Sequence, residues 1–240
     1  MSSSGLEDFR PRLIVALDVS TASVAQQLVQ QIGDAVSLYK VGLQLFTAEG
    51  PGVVRDLIAS GRKVFLDLKL HDIPNTVGRA VSAAAELGAS MLTVHGGGGA
   101  AMLRAAVEAA NHRLSILAVT VLTSLNDEDL QEIGFAGGAL DQALRIASLA
   151  RSAGCDAVVT SAKEVSALRK MLGEGFGIVV PGVRPQGSER NDQERVATPA
   201  EAISAGASHI VVGRPITRAP NPAAAVESIL QEMAGAVLLR

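Results

Sequence analysis

The segment Phe65–Thr76 reads FLDLKLHDIPNT and places ionised side chains within an otherwise apolar stretch. Its alternating first half predicts a β-strand, in which successive side chains point to opposite faces. The three leucines would cover one packed face, while Asp67 and Lys69 project together from the other. Charges seldom remain on a buried strand unless they are paired or used, and a structural ion pair is one explanation. Because Asp72 and Pro74 follow, the charged cluster lies where a helix begins, which favours a functional site.

Short apolar, β-branched segments alternate with Ala-rich helical segments along the chain. Strands that are apolar on both faces and joined by helices indicate a parallel sheet. Eight such units in 240 residues predict an α/β protein with a single-domain (β/α)8 TIM barrel over residues 1–240, residues 1–11 being a polar N-terminal extension. An open doubly wound sheet is the alternative. The predicted strands are Leu13–Asp18, Ser37–Val41, Val64–Lys69, Met91–His95, Ser115–Leu122, Ala157–Thr160, Gly177–Pro181 and His209–Gly213.

Amphipathic patterns identify several of the helices between these strands. The last helix is predicted to begin with Asn221 as its N-cap and Pro222 in its first turn. Two earlier helices each carry one apolar stripe, which indicates the face that packs on the sheet. The stripes consist of Val24, Ala25, Leu28, Val29 and Ile32, and of Val77, Ala80, Val81, Ala84 and Leu87.

Polar residues collect at the carboxyl ends of the predicted strands, where barrel enzymes build their active sites. In chain order they are Asp18, Lys40, Asp67 with Lys69, His95, Thr123, Arg184 and Arg214. Every strand must end in some residue, so a few could stand there by chance. Two lysines inside apolar strands, each near an aspartate, are harder to explain in that way.

Two late segments predict a phosphate site, because such barrels often bind phosphate with the loops after strands 7 and 8. The segment Pro181–Gly187 opens a polar loop, of which residues 187–195 would form a mobile lid. At the end of the eighth strand, Gly213 would expose backbone N–H groups. Arg214 would offer a fork of donors matched to phosphate oxygens, although a single arginine is commonly a solvated surface charge.

The glycine run Gly96–Gly99 after His95 resembles two motifs that it does not complete. With Ala101 it fits the G-x-G-x-x-A dinucleotide pattern, but no acidic residue follows about twenty residues later to bind a ribose. It also resembles an esterase oxyanion loop, but the chain has no G-x-S-x-G segment. We therefore predict a tight turn that lets backbone approach the site. His95 and His71 are predicted to be structural or to support the site, and His112 and His209 have no predicted role.

Composition excludes several classes of protein. A net charge of −3, no Trp and one Tyr argue against nucleic-acid binding. The single cysteine, Cys155, rules out an internal disulfide and fits a reducing compartment. No Cys/His cluster has zinc spacing, so no metal is expected. The N-terminus lacks the pattern of a secretion signal, and the first apolar run, Leu13–Leu17, is too short to cross a membrane. We expect a cytoplasmic protein.

Four motifs together resemble orotidine 5′-monophosphate decarboxylase over Val15 to about Thr217. They are A-L-D at 16–18, D-L-K-L-H-D-I-P-N-T at 67–76, P-G-V-R at 181–184 and V-V-G-R-P-I-T at 211–217. The resemblance implies cofactor-free conversion of orotidine 5′-monophosphate to uridine 5′-monophosphate in de novo pyrimidine biosynthesis. It makes Lys69 the proton donor to ring carbon 6, within an alternating charge array of Lys40, Asp67 and Asp72. It assigns the substrate contacts to Asp18 and Lys40 (ribose), Thr123 (pyrimidine), Arg184, Gln193, Gly213 and Arg214 (phosphate), and Gln186 (between base and phosphate).

The same resemblance implies a homodimer, in which Asp72, with Ile73 and Thr76 nearby, enters the site of the neighbouring subunit. Two other functions stay open. A magnesium-dependent sugar-phosphate lyase or decarboxylase of the same barrel group would also resemble D-x-K-x-x-D, but it carries an acidic metal ligand where this chain has Lys40. A non-catalytic phosphate-binding barrel is the other, and the Lys–Asp array argues against it.

Overall fold

The computed structural model describes residues 4–185 and 197–236. Eight parallel strands close into a barrel in chain order, and the first pairs with the last, which confirms the predicted barrel over the open sheet. The strands are β1 (Leu13–Ala16), β2 (Leu38–Gly42), β3 (Lys63–Leu70), β4 (Met91–His95), β5 (Ser115–Val119), β6 (Ala157–Val159), β7 (Gly177–Val180) and β8 (His209–Val212).

The α-helices form the outer layer, and all of them except α1, which precedes β1, follow strands in the chain. Those in the described residues are α1 (Ser4–Glu7), α2 (Ala22–Ile32), α3 (Leu43–Glu49), α4 (Gly52–Ala59), α5 (Pro74–Leu87), α6 (Gly99–Ala110), α7 (Asp127–Glu132), α8 (Ala139–Ala153), α9 (Val165–Leu172), α10 (Pro199–Ser204), α11 (Arg214–Thr217) and α12 (Pro222–Gly235). As predicted, Asn221 caps α12 by accepting a hydrogen bond from the amide of Ala224. Within the described residues, no helix is long and apolar enough to span a bilayer.

The core has two layers because the strands are buried on both faces. Side chains two residues apart on each strand fill the barrel interior, and their neighbours pack outward against the helices. The interior layer consists of Ile14, Ala16, Leu38, Phe65, Leu117, Val119, Ala157, Val159, Val179 and Val211. These apolar side chains fill the barrel beneath the carboxyl ends of the strands and leave polar residues for the mouth.

Two details of the sequence prediction were wrong. Several predicted strands ran too far, since Asp18 and Leu122 lie beyond the ends of β1 and β5. At these positions the chain leaves the sheet to form the loops around the mouth. Val24, assigned to the buried stripe of α2, is 39% exposed, whereas the other four members of that stripe are buried. Val24 lies at the edge of the stripe, just before its first buried residue.

The glycine run after β4 forms the predicted tight turn, a 3₁₀ turn over Gly96–Gly98. Gly96 is buried where the chain passes between β5 and α8. A Cβ placed there would lie 2.9 Å from the carbonyl oxygen of Val119 and would clash with the Ile146 side chain. Only a residue without a side chain lets the backbone approach this closely.

Gly96→Ala is therefore expected to destabilise the protein by roughly 1–3 kcal/mol, the usual cost of overpacking a core. Urea denaturation measures this change in the free energy of unfolding. Gly52→Ala, at the start of α4, is the matched control because described atoms leave open the space around its added Cβ. That control should be neutral or stabilising by up to about 1 kcal/mol. Equal denaturation midpoints for the two variants would contradict the packing argument.

Candidate active site

Four charged side chains form a continuous array at the mouth of the barrel. Lys40 lies on β2, Asp67 and Lys69 lie on β3, and Asp18 lies just after β1. The Nζ atom of Lys40 lies 2.8 Å from Oδ1 of Asp18 and 3.5 Å from Oδ2 of Asp67. The Nζ atom of Lys69 lies 2.9 Å from Oδ1 of Asp67. Negative and positive charges thus alternate along the array. The structure brings together four of the residues that the sequence singled out.

The array is buried at its centre and open at both ends. The side chains of Lys40 and Asp67 are 11% and 13% exposed, against 32% for Lys69 and 52% for Asp18. Burial is the largest influence on the pKa of Asp67 and raises it. The ammonium groups of Lys40 and Lys69, with hydrogen bonds from Lys69 and Thr93, together outweigh burial and lower this pKa below its ordinary value. Asp67 is therefore ionised at neutral pH and balances two lysines.

The backbone at Lys69 departs from a regular strand. Its φ is +50°, in the left-handed region that residues other than glycine rarely adopt. The pairing of β3 with β4 also shifts register between Leu66 and Leu70, as at a β-bulge. The Lys69 N–H donates a hydrogen bond to Oγ1 of Thr93 at 2.9 Å. Strained backbone of this kind persists only where its surroundings hold it, and it is common at functional sites.

Among the described residues, Asp72 makes no ion pair with the array of its own chain. Its carboxylate accepts a hydrogen bond from the amide of Ile73, the residue that precedes α5. Residues 71–76 are exposed, and Ile73 is 66% exposed, which is unusual for a large apolar side chain. The group Asp72, Ile73 and Thr76 therefore forms a surface beside the mouth.

The predicted phosphate contacts surround the ends of the last two strands. Gly213 follows β8 directly, and Arg214 begins α11. Arg184 is buried, and its amide donates a hydrogen bond to the carbonyl of Ala197 across the loop after β7. Thr123 lies half-buried in the turn after β5. Gln186, Gln193 and the predicted lid at 187–195 lie outside the described residues.

His71 and His95 stack on each other next to Lys69. Their ring centroids are 5.0 Å apart with an interplanar angle of 9°. Burial, followed by the charges of His71 and Lys69, lowers the pKa of His95 and favours its neutral form. The Nδ1 atom of His95 accepts a hydrogen bond from the amide of Gly97, so it carries no proton. In its neutral form His95 adds no positive charge to the array.

Two residues of the site, Thr93 and Gly42, were not predicted from the sequence. Thr93 donates a hydrogen bond from its hydroxyl to Oδ1 of Asp67 at 2.9 Å. Gly42 pairs with Asp67 in the sheet, and a Cβ there would lie 2.8 Å from Nζ of Lys40 and 2.9 Å from Oδ1 of Asp18. Glycine thus leaves the space in which the Lys40–Asp18 pair forms. Threonine is common within strands and glycine is common at strand ends, so neither residue type indicated a role in the site.

The arrangement suits the binding and stabilisation of negative charge. The side chain of Lys69 is partly exposed at the mouth, and the more deeply buried Asp67 carboxylate forms an ion pair with its ammonium group. A fixed ammonium group stabilises an anion that develops beside it and can donate a proton to that anion. Within the described ranges, no group of three or more His, Cys, Asp or Glu side chains is placed to hold a metal ion.

Comparison with known proteins relates the chain to one family along nearly its whole length. The family model described as "Orotidine 5'-phosphate decarboxylase / HUMPS family" matches residues 11–229. An orotidine 5′-phosphate decarboxylase of Anaeromyxobacter dehalogenans is 53% identical over 218 residues, which cover 91% of this chain and 96% of that protein. One of Sodalis glossinidius is 50% identical over 225 residues, covering 92% and 89%. The crystal structure of orotidine 5′-phosphate decarboxylase from Lactobacillus acidophilus superposes with a TM-score of 0.83 at 39% identity, covering 93% of this chain and 99% of that one.

Proposed function

The chain belongs to the orotidine 5′-phosphate decarboxylase / HUMPS family, and from this premise we propose that it decarboxylates orotidine 5′-phosphate in pyrimidine biosynthesis, with Lys69 as the proton donor. The observation that carries the proposal is the alternating array of Asp18, Lys40, Asp67 and Lys69 at the barrel mouth. A cytoplasmic location is part of it, because a single buried cysteine, Cys155, suits a reducing compartment.

The reaction requires a group that stabilises a carbanion and then protonates it, and the ammonium group of Lys69 can do both. The bond between ring carbon 6 and the carboxylate breaks, CO₂ leaves, and the electron pair stays on carbon 6, where no adjacent carbonyl can accept it. An ammonium group beside this carbon stabilises the developing negative charge and then transfers its proton to the carbon. Lys69 becomes neutral in this step and regains a proton from water. The carboxylate of Asp67, 2.9 Å away, orients the ammonium group and balances its charge.

Lys40 separates this proposal from the sugar-phosphate alternative, which the combined family description leaves open. In the magnesium-dependent enzymes an acidic side chain at the end of the second strand would bind the metal. Here that position holds a lysine, which cannot ligate Mg²⁺ while it is charged. Its ion pairs with Asp18 and Asp67 also occupy the two carboxylates nearest to this position, so these are not free to bind a cation. We propose that Lys40 and Asp18 contact the ribose hydroxyls instead.

The rest of the nucleotide would lie across the mouth. We assign the phosphate to Arg184, Gly213 and Arg214, near the ends of β7 and β8, and the pyrimidine to Thr123 after β5. Gln193 is assigned to the phosphate and Gln186 to the space between base and phosphate. Binding of the remote phosphate would then supply the energy that desolvates the reacting ring.

The purified protein is expected to convert orotidine 5′-phosphate to uridine 5′-phosphate, which is followed by ultraviolet absorbance. Prolonged dialysis against EDTA should leave the rate unchanged, because no step of the proposed chemistry uses a metal. Added Mg²⁺ serves as the comparison. A rate that EDTA abolishes and Mg²⁺ restores would favour the sugar-phosphate alternative, and a protein with no turnover under any condition would refute the proposal.

Lys69→Ala should lower kcat by at least roughly 10²–10⁴-fold, the range that general acid catalysis supplies. Binding of uridine 5′-phosphate, measured by calorimetry, should change much less, because the phosphate contacts remain. Lys63→Ala is the matched control, since Lys63 lies exposed at the opposite end of β3. The assignment of Lys69 fails if its variant keeps a rate close to that of the control.

We also propose that the enzyme is a homodimer in which Asp72 completes the site of the partner subunit. Among the described residues Asp72 makes no ion pair with the array of its own chain, and its Oδ1 atom accepts a hydrogen bond from the amide of Ile73. The exposed Ile73 beside it offers apolar surface that an interface would cover. In a two-fold dimer the same surface of each subunit would reach the other's mouth.

Mixing inactive variants tests this shared site. Lys69→Ala and Asp72→Asn dimers are each expected to be nearly inactive, and after subunit exchange about a quarter of native activity should return. Random pairing makes about half of the dimers mixed, and each mixed dimer has one intact site. Lys69→Ala mixed with Asp67→Asn is the control, because both residues serve the same subunit and each site stays defective. If exchange is demonstrated by fluorescent labels and no activity returns, Asp72 serves its own subunit.

A further inference from the structure

One buried hydroxyl group connects the two charged residues at the centre of the site. Thr93 lies on β4, and its side chain is fully buried. Its Oγ1 accepts a hydrogen bond from the backbone N–H of Lys69 at 2.9 Å and donates one to Oδ1 of Asp67, also at 2.9 Å. The same Oδ1 atom accepts the hydrogen bond from Nζ of Lys69. Thr93, Asp67 and Lys69 thus form a closed ring of hydrogen bonds.

The direction of each bond in this ring is fixed by chemistry. A backbone N–H can only donate, so Oγ1 of Thr93 is the acceptor from Lys69. An ionised carboxylate can only accept, so the threonine hydroxyl must direct its proton to Asp67. Threonine is also stiff about χ1, which holds the hydroxyl in one place. Thr93 therefore constrains the carboxylate and the strained backbone of Lys69 with a single atom.

We propose that Thr93 is a positioning residue for the decarboxylation. It fixes the rotation of the Asp67 carboxylate and anchors Lys69 at its positive φ, so that the Lys69 ammonium group meets ring carbon 6 at the required place. It acts through these two residues and not by touching the substrate. This inference rests on the proposed function, because the geometry that it preserves is needed for proton transfer to that carbon.

Amide hydrogen exchange, measured by NMR, tests the anchoring without any turnover. In the wild-type protein the Lys69 amide should be protected, since it is bonded to a buried oxygen. In Thr93→Val, which has the same shape but no hydroxyl, this amide should exchange about tenfold faster, because one hydrogen bond contributes up to about that factor. Thr93→Ser should keep the protection. An unprotected Lys69 amide in the wild-type protein would overturn the proposal, whether or not the variants fold.

Kinetics test the effect on catalysis. Thr93→Val should lower kcat by about 10²-fold, the loss that a displacement of about 1 Å can cause, while binding of uridine 5′-phosphate by calorimetry changes little. Thr93→Ser should restore most of kcat. Thr120→Val is the matched control, because Thr120 is equally buried but its hydroxyl binds Val159 and Thr160. The control should keep the wild-type kcat and lose only stability.

Turnover by the wild-type protein and the kcat of the variants together distinguish a failure of the proposed function from a failure of the positioning role. A wild-type protein that does not turn over orotidine 5′-phosphate refutes the proposed function, and the exchange experiment still decides whether Thr93 anchors Lys69. An active wild-type protein with an unchanged kcat in Thr93→Val refutes the positioning role alone. A fall in kcat that Thr120→Val reproduces, or that Thr93→Ser does not relieve, assigns the effect to packing and also overturns the proposal.

Discussion

The carboxylate of Asp67 between two ammonium groups is the interaction on which the rest of the site depends. It is largely buried, so its charge requires partners, and Lys40, Lys69 and the hydroxyl of Thr93 supply them. Each partner is then constrained in turn. Lys40 extends the array to Asp18, and Lys69 is held with its ammonium group toward the mouth. One buried charge thus organises a site that spans three neighbouring strands and the loop after β1.

The barrel makes this arrangement possible by limiting what lies around it. Apolar side chains fill the barrel interior next to the array. Because this interior has a low dielectric constant, the ion pairs of the array are screened less than they would be in water. Two glycines allow the backbone to come close where a side chain would interfere. Gly42 leaves room for the pair of Lys40 and Asp18, and Gly96 brings the turn after β4 against α8 and β5. At the irregular end of β3 the register with β4 shifts, and Lys69 adopts a positive φ.

The sequence predicted the barrel and the shared face of Asp67 and Lys69 because strand periodicity determines both. It did not predict the positive φ of Lys69, since a bulge depends on the register with β4 and leaves no mark in the periodicity. The role of Thr93 was missed for the same reason, as only pairing across strands brings its hydroxyl to Asp67. Strand ends such as Asp18 were misplaced because hydrophobicity continues past the last paired residue.

A crystal structure with uridine 5′-phosphate bound would show whether Lys69 faces the reacting carbon. We expect the ring to lie in the mouth with the Nζ atom of Lys69 as the ammonium group nearest to carbon 6, and the bonds of Asp67 to Lys69 and Thr93 to be retained. The phosphate should lie near Arg214 and Arg184. A ring whose carbon 6 points away from Lys69, or lies nearer to Lys40, would contradict the assignment of Lys69 as the proton donor.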